Sequence, residues 1–170
     1  VDKTGTLTEG KPRLAEVEPT EGFTADELLR IAASLERGSE HPLAAAIVKG
    51  AEGRGLRLVD AQDFQSVTGE GVRGTTEGRR VLLGNVRLLS DEQIASDLLQ
   101  NRMEELRREG QTVMLVAVDG RLAGLVSAAD PIRASTSEAI RLLHADGLRI
   151  IMLTGDSRTT AEAVARRLGI

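Results

Sequence analysis

The chain begins Val1-Asp2-Lys3-Thr4-Gly5-Thr6-Leu7-Thr8, a carboxylate followed by short hydroxyl residues and a glycine. An aspartate oxygen attacks a terminal phosphoryl group when a divalent cation cancels the mutual repulsion and the leaving group lies in line. The residues after Asp2 suit a loop whose backbone N–H groups wrap phosphate oxygens, and Gly5 lets that loop turn closely. Asp2, Lys3 and Thr4 therefore form a first candidate catalytic group. Thr154-Gly155-Asp156 forms a second, directly after the expected strand Leu148–Leu153. Loops at the carboxyl ends of strands, leading into helix N-termini, are where α/β sheets hold phosphate. Asp130-Pro131-Ile132-Arg133 is a third: Asp130 offers an acceptor to a ribose or a loop N–H, and Arg133 a charge to a phosphate. Taken alone, the second group is also a plain strand-to-helix turn, and the third a loop in which Pro131 stops a strand.

The heptad Asp2–Thr8, DKTGTLT, resembles the phosphorylation motif of the P-type ATPases, cation pumps with a haloacid-dehalogenase-like phosphorylation domain. The resemblance implies that Asp2 is phosphorylated by ATP and that Asp2 and the Thr4 carbonyl hold Mg²⁺. It implies further that Thr154 and Gly155 hold the phosphoryl oxygens and that Asp156 completes the nucleotide- and Mg²⁺-side network. The segment 130–133 resembles the DPxR-like stretch that lies between nucleotide and phosphorylation site in that family. Thr4 stands where phosphatases of the wider superfamily carry an Asp that serves as acid and then activates water. A hydroxyl is a poor base at neutral pH, so an aspartyl phosphate on Asp2 is expected to be long-lived, as suits a pump.

Ser39-Glu40-His41-Pro42-Leu43 narrows the resemblance, because it is similar to the SEHPL motif of the heavy-metal-transporting branch. The implied roles are His41 orienting adenine, Glu36 contacting its amino group and Glu40 supporting them. Gly69-Glu70-Gly71 resembles the GxG of the same nucleotide domain, and Asn85 one of its nucleotide-contacting residues. Each has an ordinary alternative: a helix cap for His41, a bulge or turn for the glycines, a loop for Gly84-Asn85. What joins them is that all fall in order inside one stretch of chain. With Phe23 and Phe64 the only aromatics, few rings are present to stack on a purine.

Composition bounds the rest. The chain has 170 residues, 41% apolar and 28% charged, as in ordinary soluble globular protein. Its net charge of −4 argues against nucleic acid as a partner. The absence of cysteine excludes disulfides and thiolate metal sites within it. The apolar runs fall far short of the roughly 20 residues of a membrane span, no signal peptide is evident, and the chain reads as cytosolic.

Thr24-Ala25-Asp26-Glu27 predicts a capped helix carrying Leu28, Ile31, Ala32 and Leu35. Pro42 predicts the first turn of another, running to about Gly50. Strands are expected between Leu56 and Leu83. Ser90–Gln93 predicts a capping box opening a helix that carries Ile94 to Leu106 and stops at Gly110. Asp119-Gly120 predicts a hairpin between strands at 113–118 and 122–127. Beyond it, a helix over 135–143, a buried strand over 148–153 and a helix over 159–168 make a doubly wound α/β succession.

The expected fold is thus an incomplete α/β, Rossmann-like phosphorylation domain (1–12 and 122–170) with an inserted α+β nucleotide-binding domain (13–121), an antiparallel sheet plus helices. The expected function is the ATP-binding and phosphorylation region of a heavy-metal P-type ATPase, of the copper-exporting kind. ATP and Mg²⁺ are its expected ligands. Its partners are the pump's actuator and membrane helices, and the transported cation binds outside this region. The lysine and the GDGxND segment that follow TGD in the family are not reached by Ile170. The chain is therefore read as a soluble cytoplasmic fragment of a plasma-membrane protein, inactive alone. A free phosphatase or phosphomutase of the same superfamily and a non-catalytic nucleotide-binding module are the alternatives.

Overall fold

A computed structural model describes residues 1–170. In chain order the regular elements are β1 (Arg13–Pro19), α1 (Ala25–Glu36), α2 (Pro42–Gly53), β2 (Gln62–Val67), β3 (Gly71–Thr76), β4 (Arg79–Gly84), α3 (Val86–Asp91), α4 (Gln100–Arg108), β5 (Thr112–Val118), β6 (Arg121–Ala129), α5 (Thr136–Ala145) and α6 (Arg158–Leu168). The strands form one antiparallel sheet in the order β1-β6-β5-β4-β3-β2.

Both faces of this sheet are covered. Met114, Val116 and Val118 of β5 point into a core with α1 and α2, around Leu28, Leu35 and Ile47. Val113, Leu115 and Ala117 alternate to the other face, against Leu89 of α3 and Met103 and Leu106 of α4. A strand buried on both sides is apolar at nearly every position, which is why 113–118 reads as an unbroken apolar run. The hairpin that joins β5 to β6 places Asp119 at φ +50° and Gly120 at φ +77°, the pair of left-handed residues that a tight two-residue turn requires.

Helix starts follow local chemistry. The Thr24 hydroxyl accepts from Glu27 N–H at the head of α1, and Ser157 caps α6 through Thr160 N–H. One expectation is corrected. The single helix opened by Ser90–Gln93 is replaced by α3, a break, a short 3₁₀ turn at Asp97–Leu99 and then α4. Asn85 supplies the cap that Ser90 was expected to give, its side chain accepting from Leu88 N–H. Ser90 lies in the last turn of α3, and Gln93 takes φ +58°, which no helix interior tolerates.

The sheet runs on through β6 to Ala129, past the boundary expected at Arg121. The remaining elements gather round a much smaller core, Leu7, Ile140, Val164 and Leu168. Here the expected buried strand over 148–153 is also corrected. Its backbone is extended beside Val1–Lys3, with Leu153 N–H donating to Val1 O (2.8 Å) and Lys3 N–H to Leu153 O (2.9 Å). Only an isolated parallel bridge, Asp2 to Leu153, results. Ile150 and Met152 pack on the small core, while Leu148, Ile151 and Leu153 are more than half exposed. A parallel strand becomes a regular, buried element when neighbours flank it and helices cover both faces, and this segment has one short neighbour.

Candidate active site

Asp2 sits in extended backbone at the start of a wide turn, Lys3–Leu7, which closes when Thr8 N–H donates to Lys3 O at 3.1 Å. Gly5 takes φ +78° at its apex, a conformation that a side chain would resist. Leu7 anchors the far end in the small core. The Asp2 carboxylate is exposed and meets no partner within the chain.

Arg133 and Asp130 hold this turn in place. Arg133 Nε donates to Thr8 O at 2.8 Å and Nη2 to Gly5 O at 2.9 Å. Asp130 Oδ2 accepts from the Thr8 hydroxyl at 2.5 Å and from Gly10 N–H at 3.2 Å, while Oδ1 accepts from Lys11 N–H at 3.0 Å. Of the two partners expected for Asp130, the loop N–H groups are the ones it meets. Arg133, for which a phosphate contact is expected, donates through Nε and Nη2 to backbone carbonyls. Both act here as positioning groups for the Asp2 loop.

Lys3 reaches the second loop. Its ammonium pairs with Asp156 Oδ2, and both side chains are largely buried. Asp156 Oδ2 also accepts from Thr154 Oγ1 (2.9 Å), and Oδ1 accepts from Thr112 Oγ1 (2.9 Å). Burial pushes the Asp156 carboxyl upward, but the Lys3 hydrogen bond and charge, with the Thr112 and Thr154 hydroxyls, outweigh it and hold it below its ordinary value. Both its oxygens are thereby committed to protein donors. Thr112, the first residue of β5, was not singled out in the sequence, and a Thr opening a strand gives no local signal of such a contact.

The third group gathers on the sheet's side of the same hollow. His41 caps α2, its Nδ1 accepting from Leu43 N–H at 3.1 Å, so that in the neutral ring the proton sits on Nε2. Glu36, at the end of α1, is buried, and its Oε2 has no hydrogen-bond partner. Burial, only partly offset by a hydrogen bond from Ser39, raises its pKa from 4.5 to about 7. An orphaned buried carboxyl oxygen costs free energy unless a ligand donates to it. Asn85 ties the glycine loop to α3, with Nδ2 donating to Gly69 O at 2.9 Å and its backbone N–H to Glu70 O at 2.8 Å.

The two glycines differ. Gly69 takes φ +74° and a Cβ there meets nothing within 4 Å, so it presents open backbone. At Gly71 a Cβ would fall 2.2 Å from Leu83 O. Its bareness is thus required by strand β4, whatever else approaches it.

One cleft of about 670 Å³ joins the two sides, lined by Glu36, His41, Gly69, Gly71 and Asn85 from one and by Lys3, Thr4, Asp130, Thr154, Gly155 and Asp156 from the other. Asp2, Glu40 and Arg133 do not line it, although Asp2 immediately precedes two residues that do. Arg107, Ser157 and Thr160 also line it and were not anticipated. Nowhere do three or more acidic, His or Cys side chains converge on a point that would hold a metal ion. The Asp2 carboxylate and Thr4 carbonyl nevertheless suit Mg²⁺, which commonly takes one or two carboxylates and completes its shell with water and substrate phosphate. No helix is long and apolar enough to cross a membrane.

Comparison with known proteins gives the family. The family model for haloacid dehalogenase-like hydrolases matches residues 1–170. A copper-transporting P-type ATPase of Rhizobium leguminosarum bv. viciae is 54% identical over the whole chain, which covers 20% of that protein. A silver-exporting P-type ATPase of Salmonella typhimurium is 45% identical, again over the whole chain and 21% of the relative. Among solved structures, a zinc-transporting PIB-type ATPase in its E2.Pi state superposes on 99% of this chain and 27% of its own, with TM-score 0.75 and 37% identity. The chain therefore spans about a fifth of the length of the curated relatives it matches.

Proposed function

The chain belongs to the haloacid dehalogenase-like hydrolase family, and from that membership we propose that it is the ATP-binding and phosphorylation region of a heavy-metal P-type ATPase. The observation that carries this reading is the single cleft in which Glu36 and His41 share a wall-to-wall space with Lys3, Thr4 and the Thr154–Asp156 loop. A nucleotide whose base meets Glu36 and His41 would direct its phosphates toward the Asp2 turn. The relatives' names cover copper, silver and zinc, which supports a soft-metal pump, and copper export is the activity we assign. Membrane helices, actuator and metal-binding residues belong to the rest of such a protein, and this region then lies on the cytoplasmic side of the plasma membrane. Residues 13–121 are the proposed nucleotide-binding domain, whose sheet is completed by the remainder of β6. Residues 1–12 and 122–170 are the proposed share of the phosphorylation domain.

Each residue has a task in this reading. The orphaned Glu36 oxygen accepts from the adenine amino group. The Nε2–H and ring of His41 orient the base, and open backbone at Gly69 admits the nucleotide. Thr154 and Gly155 receive phosphoryl oxygens. The Asp2 carboxylate attacks the γ-phosphorus as the bond to the ADP oxygen breaks, giving an aspartyl phosphate and ADP. The Asp2 carboxylate and Thr4 carbonyl would hold Mg²⁺, which would supply neutralisation of charge between nucleophile and phosphoryl group. Thr4 provides no base for hydrolysis, which favours a pump over a phosphatase of the same family. Lys3 holds Asp156, and Asp130 with Arg133 holds the turn.

Amide NMR shifts during ATP titration test the binding half of this reading. Shifts clustering at Glu36, His41, Gly69, Gly71 and Asn85 are expected. No shifts at millimolar ATP, or shifts scattered away from the cleft, would remove it.

A further inference from the structure

A triphosphate brings three or four negative charges into the cleft, yet of the 22 lysines and arginines only Lys3 and Arg107 line it. Lys3 is committed to Asp156. Arg107, in the last turn of α4, differs. Its Nη1 donates to Glu104 Oε1 at 2.7 Å, and its Nε and Nη2 donate to no protein group. A guanidinium carries five N–H donors, so most of this one goes unused although the side chain is only 17% exposed. The four acids along the cleft do not claim it: Glu70 pairs with Arg87, Asp156 with Lys3, Asp130 accepts from loop amides, and Glu36 Oε2 has no partner at all.

Its position is equally specific. Just beyond α4, the Gln111 carbonyl accepts from Thr160 Oγ1 at 3.0 Å and Thr112 donates to Asp156. Glu104 accepts from Thr159 Oγ1 at 3.1 Å as well as from Arg107. The guanidinium is thereby fixed at the seam between the sheet and the Thr154–Asp156 loop, away from Glu36 and His41. We propose that Arg107 is the cation that receives the nucleotide's phosphate chain, held in place by Glu104 and presenting its free N–H groups to two phosphate oxygens. A planar fork suits that task better than a point charge. The proposal rests on the reading that the cleft takes ATP.

Calorimetric titration with ATP, ADP and adenosine of wild type, R107Q, R107K and E104Q tests it. R107Q is expected to weaken ATP by about ten-fold and ADP nearly as much, with adenosine changed by less than about two-fold, as for a lost charge-assisted bond to phosphate. R107K recovers part of the loss. E104Q keeps the guanidinium and leaves an amide oxygen that still accepts from it, so it is expected to lose clearly less ATP affinity than R107Q, about three-fold at most, with adenosine unchanged. Equal losses for ATP and adenosine, a loss in E104Q matching R107Q, or unchanged ATP affinity in R107Q would each overturn the assignment. Wild type that binds neither adenosine nor ATP would instead remove the nucleotide reading, and this assignment with it.

Discussion

The Thr112 hydroxyl donates to Asp156 Oδ1 at 2.9 Å, tying the first residue of β5 to the loop that precedes α6. Through Asp156 the tie continues to Lys3, so the sheet, the Thr154–Asp156 loop and the Asp2 turn meet on one carboxylate. The ion pair at its centre is largely buried, and in such pairs removal of one partner costs more than the pair contributes, because the other charge is stranded.

Lys3→Met is therefore expected to destabilise the protein by about 3 kcal/mol at neutral pH. The Asp156 carboxyl is depressed when folded, so its contribution is present above the ordinary carboxylate range and lost as pH falls through the folded value. The penalty of Lys3→Met should accordingly shrink toward pH 3. Urea unfolding at both pH values measures this, and a penalty independent of pH would contradict it.

Glu36 titrates in the opposite sense. Its folded carboxyl binds a proton more tightly than the unfolded chain does, so its contribution is full below pH 4.5 and is lost as pH rises to about 7. Glu36→Gln should raise stability above pH 7 by up to about 3 kcal/mol and leave it nearly unchanged at pH 4.

In the proposed complex the adenine amino group would give that carboxyl a donor. The ionised form then becomes favoured, and ATP binding near pH 6.5 should release a fraction of a proton. Calorimetry in two buffers of different ionisation heat reads this directly. Glu36→Gln should abolish the difference between buffers, and a difference that survives would locate the titrating group elsewhere.

His41 has a structural task, capping α2, and a proposed task on adenine, and substitution separates them. His41→Ala is expected to lose about 1–2 kcal/mol of ATP affinity and up to about 1 kcal/mol of stability. His41→Asn restores an acceptor for Leu43 N–H but no ring, so it should recover the stability and leave the affinity low. Full affinity in either variant would make His41 a cap only.

The role proposed for Asp2 is tested in the proposed full-length pump. Incubation with γ-labelled ATP should give an acid-stable, hydroxylamine-labile label that Asp2→Asn abolishes. Thr4→Asp places a base beside the acyl phosphate and should speed its hydrolysis by about 10²-fold. Label that persists in Asp2→Asn would show that the nucleophile lies elsewhere.

What was legible in the sequence was what short stretches determine. The turn at Asp119-Gly120 and the cap at Thr24 need only their own neighbours, and both stand as read. The capping box at Ser90 is as well formed on paper, yet Asn85 starts the helix earlier and leaves Ser90 in its last turn. The segment 148–153 carries the residues of a buried strand, but strand burial depends on what flanks it, and three of its large side chains face outward. The cleft's membership was partly readable through Glu36, His41 and the Thr154–Asp156 loop. The orphaned Glu36 oxygen, the Thr112 contact and the unused Arg107 donors were not, because each arises from residues far apart in the chain.

The difference between the two glycines decides what an alanine scan can report. At Gly69 a methyl enters empty space, so a lost ligand would be the visible effect, set against the modest strain of its left-handed backbone. At Gly71 the same methyl collides with the Leu83 carbonyl, and β3 must part from β4 before any ligand arrives. A Gly71→Ala variant that fails to bind nucleotide would thus be a broken sheet mistaken for a broken site, and only Gly69→Ala is informative about recognition.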